Sequence, residues 1–115
     1  MENCIFCRII KGELPTTKLY EGEGAIAFRD INPQAPVHIL IIPKEHYLSL
    51  NEIPLEKMSV VQELFAAAKL LAAKENIQER GYRLVMNTRR EGGQSVDHVH
   101  LHLLGGKQLG PSLVG

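Results

Sequence analysis

Apolar and polar residues alternate along residues 97–105, and the rest of the chain is organised around that stretch. His98, His100 and His102 are separated by Val99, Leu101 and Leu103. This period of two predicts a half-buried strand. Residues i, i+2 and i+4 of a strand share a face, so the three apolar residues go to a core and the three imidazoles to the other side. Val37–Pro43 is apolar on both faces except at His38, which predicts a central strand covered on both sides. Residues 18–21 and Ala25–Arg29 read as two strands joined at Gly22-Glu23-Gly24, a hairpin signal. Residues 82–88, after Gly81, read as another strand.

Two stretches carry helical spacing. Over residues 54–75, Leu55, Met58, Val61, Leu64, Phe65, Ala68, Leu71 and Ala72 trace a stripe at three- and four-residue intervals. Glu56, Lys57, Gln62, Glu63, Lys69 and Lys74 lie opposite, as in an amphipathic helix covering a sheet, and Pro54 suits its first turn. The run Ala66-Ala67-Ala68 permits close approach of another helix, for instance from a second subunit. Residues 4–11 place Ile5, Phe6, Ile9 and Ile10 at helical spacing before Gly12, a helix stop. Pro33 and Pro36 mark residues 30–36 as a loop. The fold predicted is α+β: a five-stranded, mainly antiparallel sheet, one long helix and a short N-terminal helix. The tail from Lys107 onward reads as irregular.

At 115 residues the chain predicts one domain, 1–115, large enough to bury a core without disulfides. Lys and Arg number 13, as do Asp and Glu. Zero net charge gives no footprint for a nucleic acid polymer, and leaves a single nucleotide open as a partner. The first residues lack the basic and apolar regions of a secretory leader, and no apolar run reaches membrane-spanning length. No membrane association is expected, and the expected compartment is the cytoplasm, where thiols stay reduced.

The histidines carry the candidate chemistry, because imidazole titrates near neutrality. Three of the five in the chain fall in one short strand. A central imidazole could attack an electrophile while its neighbours orient it, or the row could grip a metal. In the second case positions i and i+4 lie about 13 Å apart along a strand, so another ligand such as His38 would be needed. His38 alone reads as a core group or a functional one. Asp30, where a strand gives way to a loop, reads as a turn residue or as an acceptor for a ligand hydroxyl pair. Gly92 and Gly93 precede Gln94 and Ser95; they make a plain turn, or a loop whose backbone amides face outward toward an anion. Cys4 and Cys7 are a zinc half-site, a redox pair or two small buried residues, and the strand expected before a thioredoxin-like motif is absent.

The run His98-Val99-His100-Leu101-His102-Leu103-Leu104 closely resembles the signature of the histidine triad (HIT) family. Ile5-Phe6, Ile9-Ile10, Phe28-Arg29-Asp30-Ile31, Pro33-Gln34-Ala35-Pro36, His38 to Pro43, Gly92-Gly93-Gln94-Ser95 and Leu104-Gly105-Gly106 resemble its Hint-like branch, which contains the purine nucleoside phosphoramidases. The resemblance implies a nucleotide-binding hydrolase that cleaves purine nucleoside 5'-phosphoramidates and acyl-adenylate-like substrates through a nucleotidyl-histidine. It makes His100 the nucleophile, His102 a ligand for phosphoryl oxygens, Ser95 an aid to the leaving group and His38 a fourth histidine near the phosphate. Asn87, Gly93 and Gln94, with Val96 alongside, would hold the phosphate, and Asp30 the ribose. Ile5, Phe6, Ile9, Phe28 and Ile31 would sandwich the purine, with Arg29 at the nucleotide site. Cys4, Cys7, His46 and His98 would hold a structural zinc, with no cofactor for catalysis. A homodimer through the long helix and an edge strand is implied as well. The chain contains no tryptophan, so a C-terminal aromatic contribution to leaving-group choice is absent. A regulatory nucleotide-binding module and a dinucleoside polyphosphate hydrolase are the alternatives.

Overall fold

The computed structural model describes residues 3–111. Residues 1–2 of the expected domain and 112–115 of the expected irregular tail lie outside the described residues. The element order is α1 (Ile5–Ile10), β1 (Tyr20–Glu21), β2 (Ala25–Arg29), β3 (Val37–Pro43), α2 (Ser59–Lys74), β4 (Tyr82–Val85) and β5 (Leu101–Gly105). The strands form one sheet in the order β1-β2-β3-β5-β4, and every pairing is antiparallel. The hairpin, the buried central strand and the pairing of the histidine strand with the His38 strand are as expected.

The sheet is covered on both faces, and the side-chain alternation decides which residue goes where. Ala25, Ala27, Ile39, Ile41, Val99, Leu101 and Leu103 pack with Leu64, Ala67, Ala68, Leu71 and Ala72 of α2. Alanines on both sides let the helix sit close to the strands. The opposite face carries Ile26, Phe28, Leu40 and Ile42 against Phe6 and Ile9 of α1. Each large apolar side chain so buried contributes roughly 1.5–3 kcal/mol. Gly12, at φ +80°, closes α1: its amide donates to Ile9 and the amide of Glu13 to Arg8, the paired bonds of a Schellman ending.

Several boundaries differ from the sequence reading. The first strand begins at Tyr20 rather than 18. The long helix starts at Ser59, after a 3₁₀ turn at Leu55–Lys57. Leu55 and Phe65 leave the predicted stripe for solvent, at 88% and 44% exposure, because the buried face is centred on Ala67, Ala68 and Leu71. Strand β4 stops at Val85 rather than 88. Strand β5 starts at Leu101, so His98 and His100 precede it. Leu101 pairs with Ile41, and two residues further along β3 stands Pro43, which has no N–H to continue the ladder. The amide of Val99 turns instead to the carbonyl of Tyr47 at 2.9 Å. The alternation of facing survives this departure: Val99 joins the α2-side core, while the rings of His98 and His100 meet Phe6.

Candidate functional site

Hydrogen-bond partners assign the proton on each imidazole, since a carbonyl can only accept and a backbone amide can only donate. His100 lies with Nδ1 2.8 Å from the carbonyl oxygen of His98. Nδ1 therefore carries the proton and Nε2 keeps the lone pair. The amide of Gln34 donates to Nδ1 of His38 at 3.1 Å, so His38 is protonated on Nε2. That nitrogen lies 2.9 Å from Nδ1 of His102 and 3.4 Å from Oδ2 of Asp30. His102 accepts at Nδ1 and carries its own proton on Nε2. The His100 and His102 rings are 5.0 Å apart, centroid to centroid, which places a lone pair and an N–H donor side by side.

All of these imidazoles are buried. Burial pulls His100 below its ordinary pKa, against its bond to the His98 carbonyl. Burial also pulls His38 down, with the Asp30 carboxylate opposing. A neutral imidazole is the nucleophilic form, and both shifts keep the rings neutral at pH 7.

A second constellation lies at the N-terminus of α1. Cys4 caps the helix, its sulfur accepting the amide of Cys7 at 3.4 Å. Nδ1 of His98 lies 3.3 Å from Cys4 Sγ, 3.7 Å from Cys7 Sγ and 3.1 Å from Nδ1 of His46. Cys7 Sγ lies 3.2 Å from Nδ1 of His46. Nε2 of His98 donates to the Pro43 carbonyl at 2.9 Å, leaving Nδ1 as a lone pair aimed into the cluster. Burial lowers His98 to about 4, so it stays neutral, as a metal ligand must. In a tetrahedral zinc site, bond lengths of about 2.0 and 2.3 Å put nitrogens about 3.3 Å apart and nitrogen and sulfur about 3.6 Å apart. The four donors lie within 4.8 Å of one another, and the donor set could hold such an ion.

The remaining predicted residues fall around these two centres. Phe6 is buried, edge-on to Phe28 at 5.7 Å and to His100 at 5.4 Å, with Ile9 in the same cluster. Ile5 and Ile31 are apolar and exposed, at 46% and 88%. Arg29 is turned outward and paired with Glu75 at 2.9 Å. Asp30 accepts the amide of Asn32 at 2.8 Å. Asn87 is half-buried, Ser95 is exposed, and Val96 packs against the α1-side cluster.

The family model for the HIT domain matches residues 11–109. The chain belongs to the HIT family. It is 47% identical to a purine nucleoside phosphoramidase of Escherichia coli, over 97% of this chain and 94% of the relative. It is 48% identical to a 14 kDa zinc-binding protein of Zea mays, over 91% and 83% of the two chains. Among solved structures, a HIT family hydrolase from Clostridium thermocellum has a TM-score of 0.93 and 49% identity, covering 99% of each chain.

Of the two readings open for the loop leading into the HIT histidines, the structure takes the turn. The amides of Gly93 and Gln94 donate inward, to the carbonyls of Arg90 and Arg89, as in the plain turn and not as in a loop with those two amides facing outward. Gly93 sits at φ +82° to allow this turn. The Gln94 side chain accepts from the Arg89 amide at 2.7 Å and donates to the carbonyls of Leu48 and Val96 at 2.6 and 2.8 Å. Arg89, itself at φ +59°, pairs with Glu52, which also takes the hydroxyl of Ser49. The sequence assigned no role to Gln34, Pro43, Ser49 or Glu52 individually. Gln34 and Pro43 act through the main chain, which leaves no residue-type signature. For Pro43 the one signal was its place at the strand exit, three residues before His46.

Proposed function

We propose that this HIT protein hydrolyses purine nucleoside 5'-phosphoramidates, and acyl-adenylate-like compounds, in the cytoplasm through a covalent nucleotidyl-histidine. The observation that carries the reading is the 2.8 Å bond from His100 Nδ1–H to the His98 carbonyl, which leaves Nε2 free to attack. The lone pair of Nε2 forms a bond to the α-phosphorus, and the phosphorus–nitrogen bond breaks toward the amine. His102, with its proton on Nε2, donates to a phosphoryl oxygen and stabilises the charge that grows there. Ser95 lies on the leaving-group side and passes its proton to the departing amine. Water then attacks phosphorus from the vacated side and gives its proton back to the Ser95 oxygen, while the bond from phosphorus to Nε2 breaks, releasing nucleoside monophosphate and the neutral imidazole. Splitting one displacement into two is the gain of covalent catalysis.

Asn87 holds the phosphate, and Gly93 and Gln94 shape the loop that presents Ser95 and Val96 to it. Asp30 receives the ribose hydroxyls. Phe6, Ile9 and Phe28 form the floor of the purine site, with Ile5 and Ile31 as its exposed apolar sides and Arg29 at its edge. Cys4, Cys7, His46 and His98 hold a zinc ion. With four protein ligands it has no open position, so the ion supplies structure and no catalytic step.

Two copies pair through α2 and the free edge of β4, within the one domain 1–115. Phe65 and Leu70 stand 44% and 57% exposed on that helix, and β4 is an outer strand of the sheet. Analytical ultracentrifugation checks the pairing: a monomer at micromolar concentration would contradict it. For the reaction, the test is steady-state release of AMP from adenosine 5'-phosphoramidate. Turnover by the wild-type chain and its abolition in His100→Ala are expected; hydrolysis by that variant at the wild-type rate would refute the assignment.

A further inference from the structure

His98 belongs to both constellations at once. Its ring turns Nδ1 to Cys4, Cys7 and His46, while its main-chain carbonyl takes the proton of His100. Residues 98–100 precede the ladder of β5, which begins at Leu101. Their backbone is tied by the Val99 amide to Tyr47 at 2.9 Å and by the His98 amide to Val96 at 2.8 Å. Tyr47 follows His46 in the chain, so two candidate metal ligands bracket the bond that steadies this segment. Phe6 lies between Cys4 and Cys7 in sequence. Its ring stands edge-on to His98 at 5.7 Å and to His100 at 5.4 Å.

We propose that a divalent metal in the Cys4, Cys7, His46 and His98 cluster is what positions the His100 nucleophile, with His98 as the positioning residue shared by both sites. The inference rests on the zinc and hydrolase readings above and goes beyond a merely structural ion. With the metal in place, α1, the 46–47 turn and the 98–100 segment are pinned at one point, and the carbonyl of His98 faces His100 Nδ1. Without it, the His98 ring keeps its bond to Pro43, but α1 and His46 are released from it. Phe6 then no longer confines the His100 ring. Losing an outer partner of this kind typically costs about 10- to 100-fold in rate.

The test strips zinc from the reduced full-length protein with a chelator and then restores it. Four quantities are followed: bound zinc, kcat and KM for adenosine 5'-phosphoramidate, and the low-field proton resonance of His100 Nδ1–H. Stripping should lower kcat about 10- to 100-fold while KM moves far less, and should broaden the resonance; zinc should restore both. The double variant Cys4→Ser with Cys7→Ser should match the stripped protein. Cobalt(II) in place of zinc keeps the site loaded, and its visible bands should shift when AMP binds, since coupling between sites is reciprocal. A chain that loses its zinc yet keeps kcat and the resonance overturns the inference and leaves the metal reading standing. Cobalt bands unmoved by AMP also overturn it. A chain that binds neither metal overturns the metal reading and the inference together. Absence of turnover by the zinc-loaded protein counts against the hydrolase reading, and the resonance and cobalt bands then still decide the coupling.

Discussion

Nε2 of His38 lies 2.9 Å from Nδ1 of His102, and the Gln34 amide at the other side of the His38 ring decides which of the two donates. His38 thereby sets the tautomer of His102, and with it the donor offered to the phosphate. His38→Ala should lower kcat about a hundredfold with a smaller change in AMP affinity. His38→Gln, which can still donate to His102, should recover part of the loss. Equal kcat in the two variants would remove His38 from this role; the measurement is steady-state kinetics alongside AMP titration calorimetry.

The same ring makes stability depend on pH. Burial holds folded His38 below its ordinary pKa of 6.5, and the Gln34 amide occupies the lone pair that a proton would need. Below pH 6.5 the unfolded chain takes up a proton that the folded chain resists, so the unfolded state is favoured. Stability should therefore fall as pH drops from 6.5 through the lowered folded value, and be insensitive to this group above 6.5. Asp30 and His102 face the ring and are unchanged in His38→Gln. Urea unfolding between pH 7 and 5 should show a shallower slope in that variant.

Gln94 ties the loop before the histidine run with three bonds, to Arg89, Leu48 and Val96. Gln94→Ala should destabilise the protein by about 1–2 kcal/mol and lower kcat/KM. Gln94→Glu keeps the acceptor for Arg89 but sets a carboxylate oxygen against two carbonyls, so it should be no better than alanine. A glutamate variant with wild-type kcat/KM would show that the loop does not depend on these bonds.

Glu63 of α2 accepts the hydroxyl of Tyr20 at 3.0 Å and the amide of Gly24 at 3.0 Å. It fastens the β1–β2 hairpin on the sheet face away from the histidines. Glu63→Ala should destabilise by about 1–3 kcal/mol and leave kcat unchanged. Gly24→Ala should also destabilise, because a Cβ 2.7 Å from Glu63 Oε1 pushes that carboxylate off the Gly24 amide and the Tyr20 hydroxyl. Thermal melts paired with a rate assay check both.

Much of this was legible because side-chain alternation is strict wherever a strand has two different faces. Val99, Leu101 and Leu103 went to the α2 side and the three histidines to the α1 side, as period two requires. The cluster of Cys4, Cys7, His46 and His98, implied by the family resemblance, does converge. The misread features depend on the backbone or on which face of a helix meets the sheet. Nothing in the spacing of Phe65 distinguishes it from Leu64, yet the buried face of α2, which holds Leu64, Ala67, Ala68 and Leu71, leaves the first exposed and the second buried. The run His98 to His102 looks like one strand, but the missing N–H of Pro43, on a different strand, ends the ladder. The paired glycines permitted an outward-facing loop, and Arg89 and Arg90 took the amides inward.

The proposed reaction stands on a bond between His100 Nε2 and phosphorus. Rapid acid-free quenching of the protein mixed with adenosine 5'-phosphoramidate, followed by intact-mass and peptide mapping, tests it directly. An adenylyl adduct confined to the peptide carrying His100, absent in His100→Ala and decaying at the rate of AMP release, is predicted. An adduct on another side chain, or steady turnover with no adduct when hydrolysis of the intermediate is slowed, would contradict it.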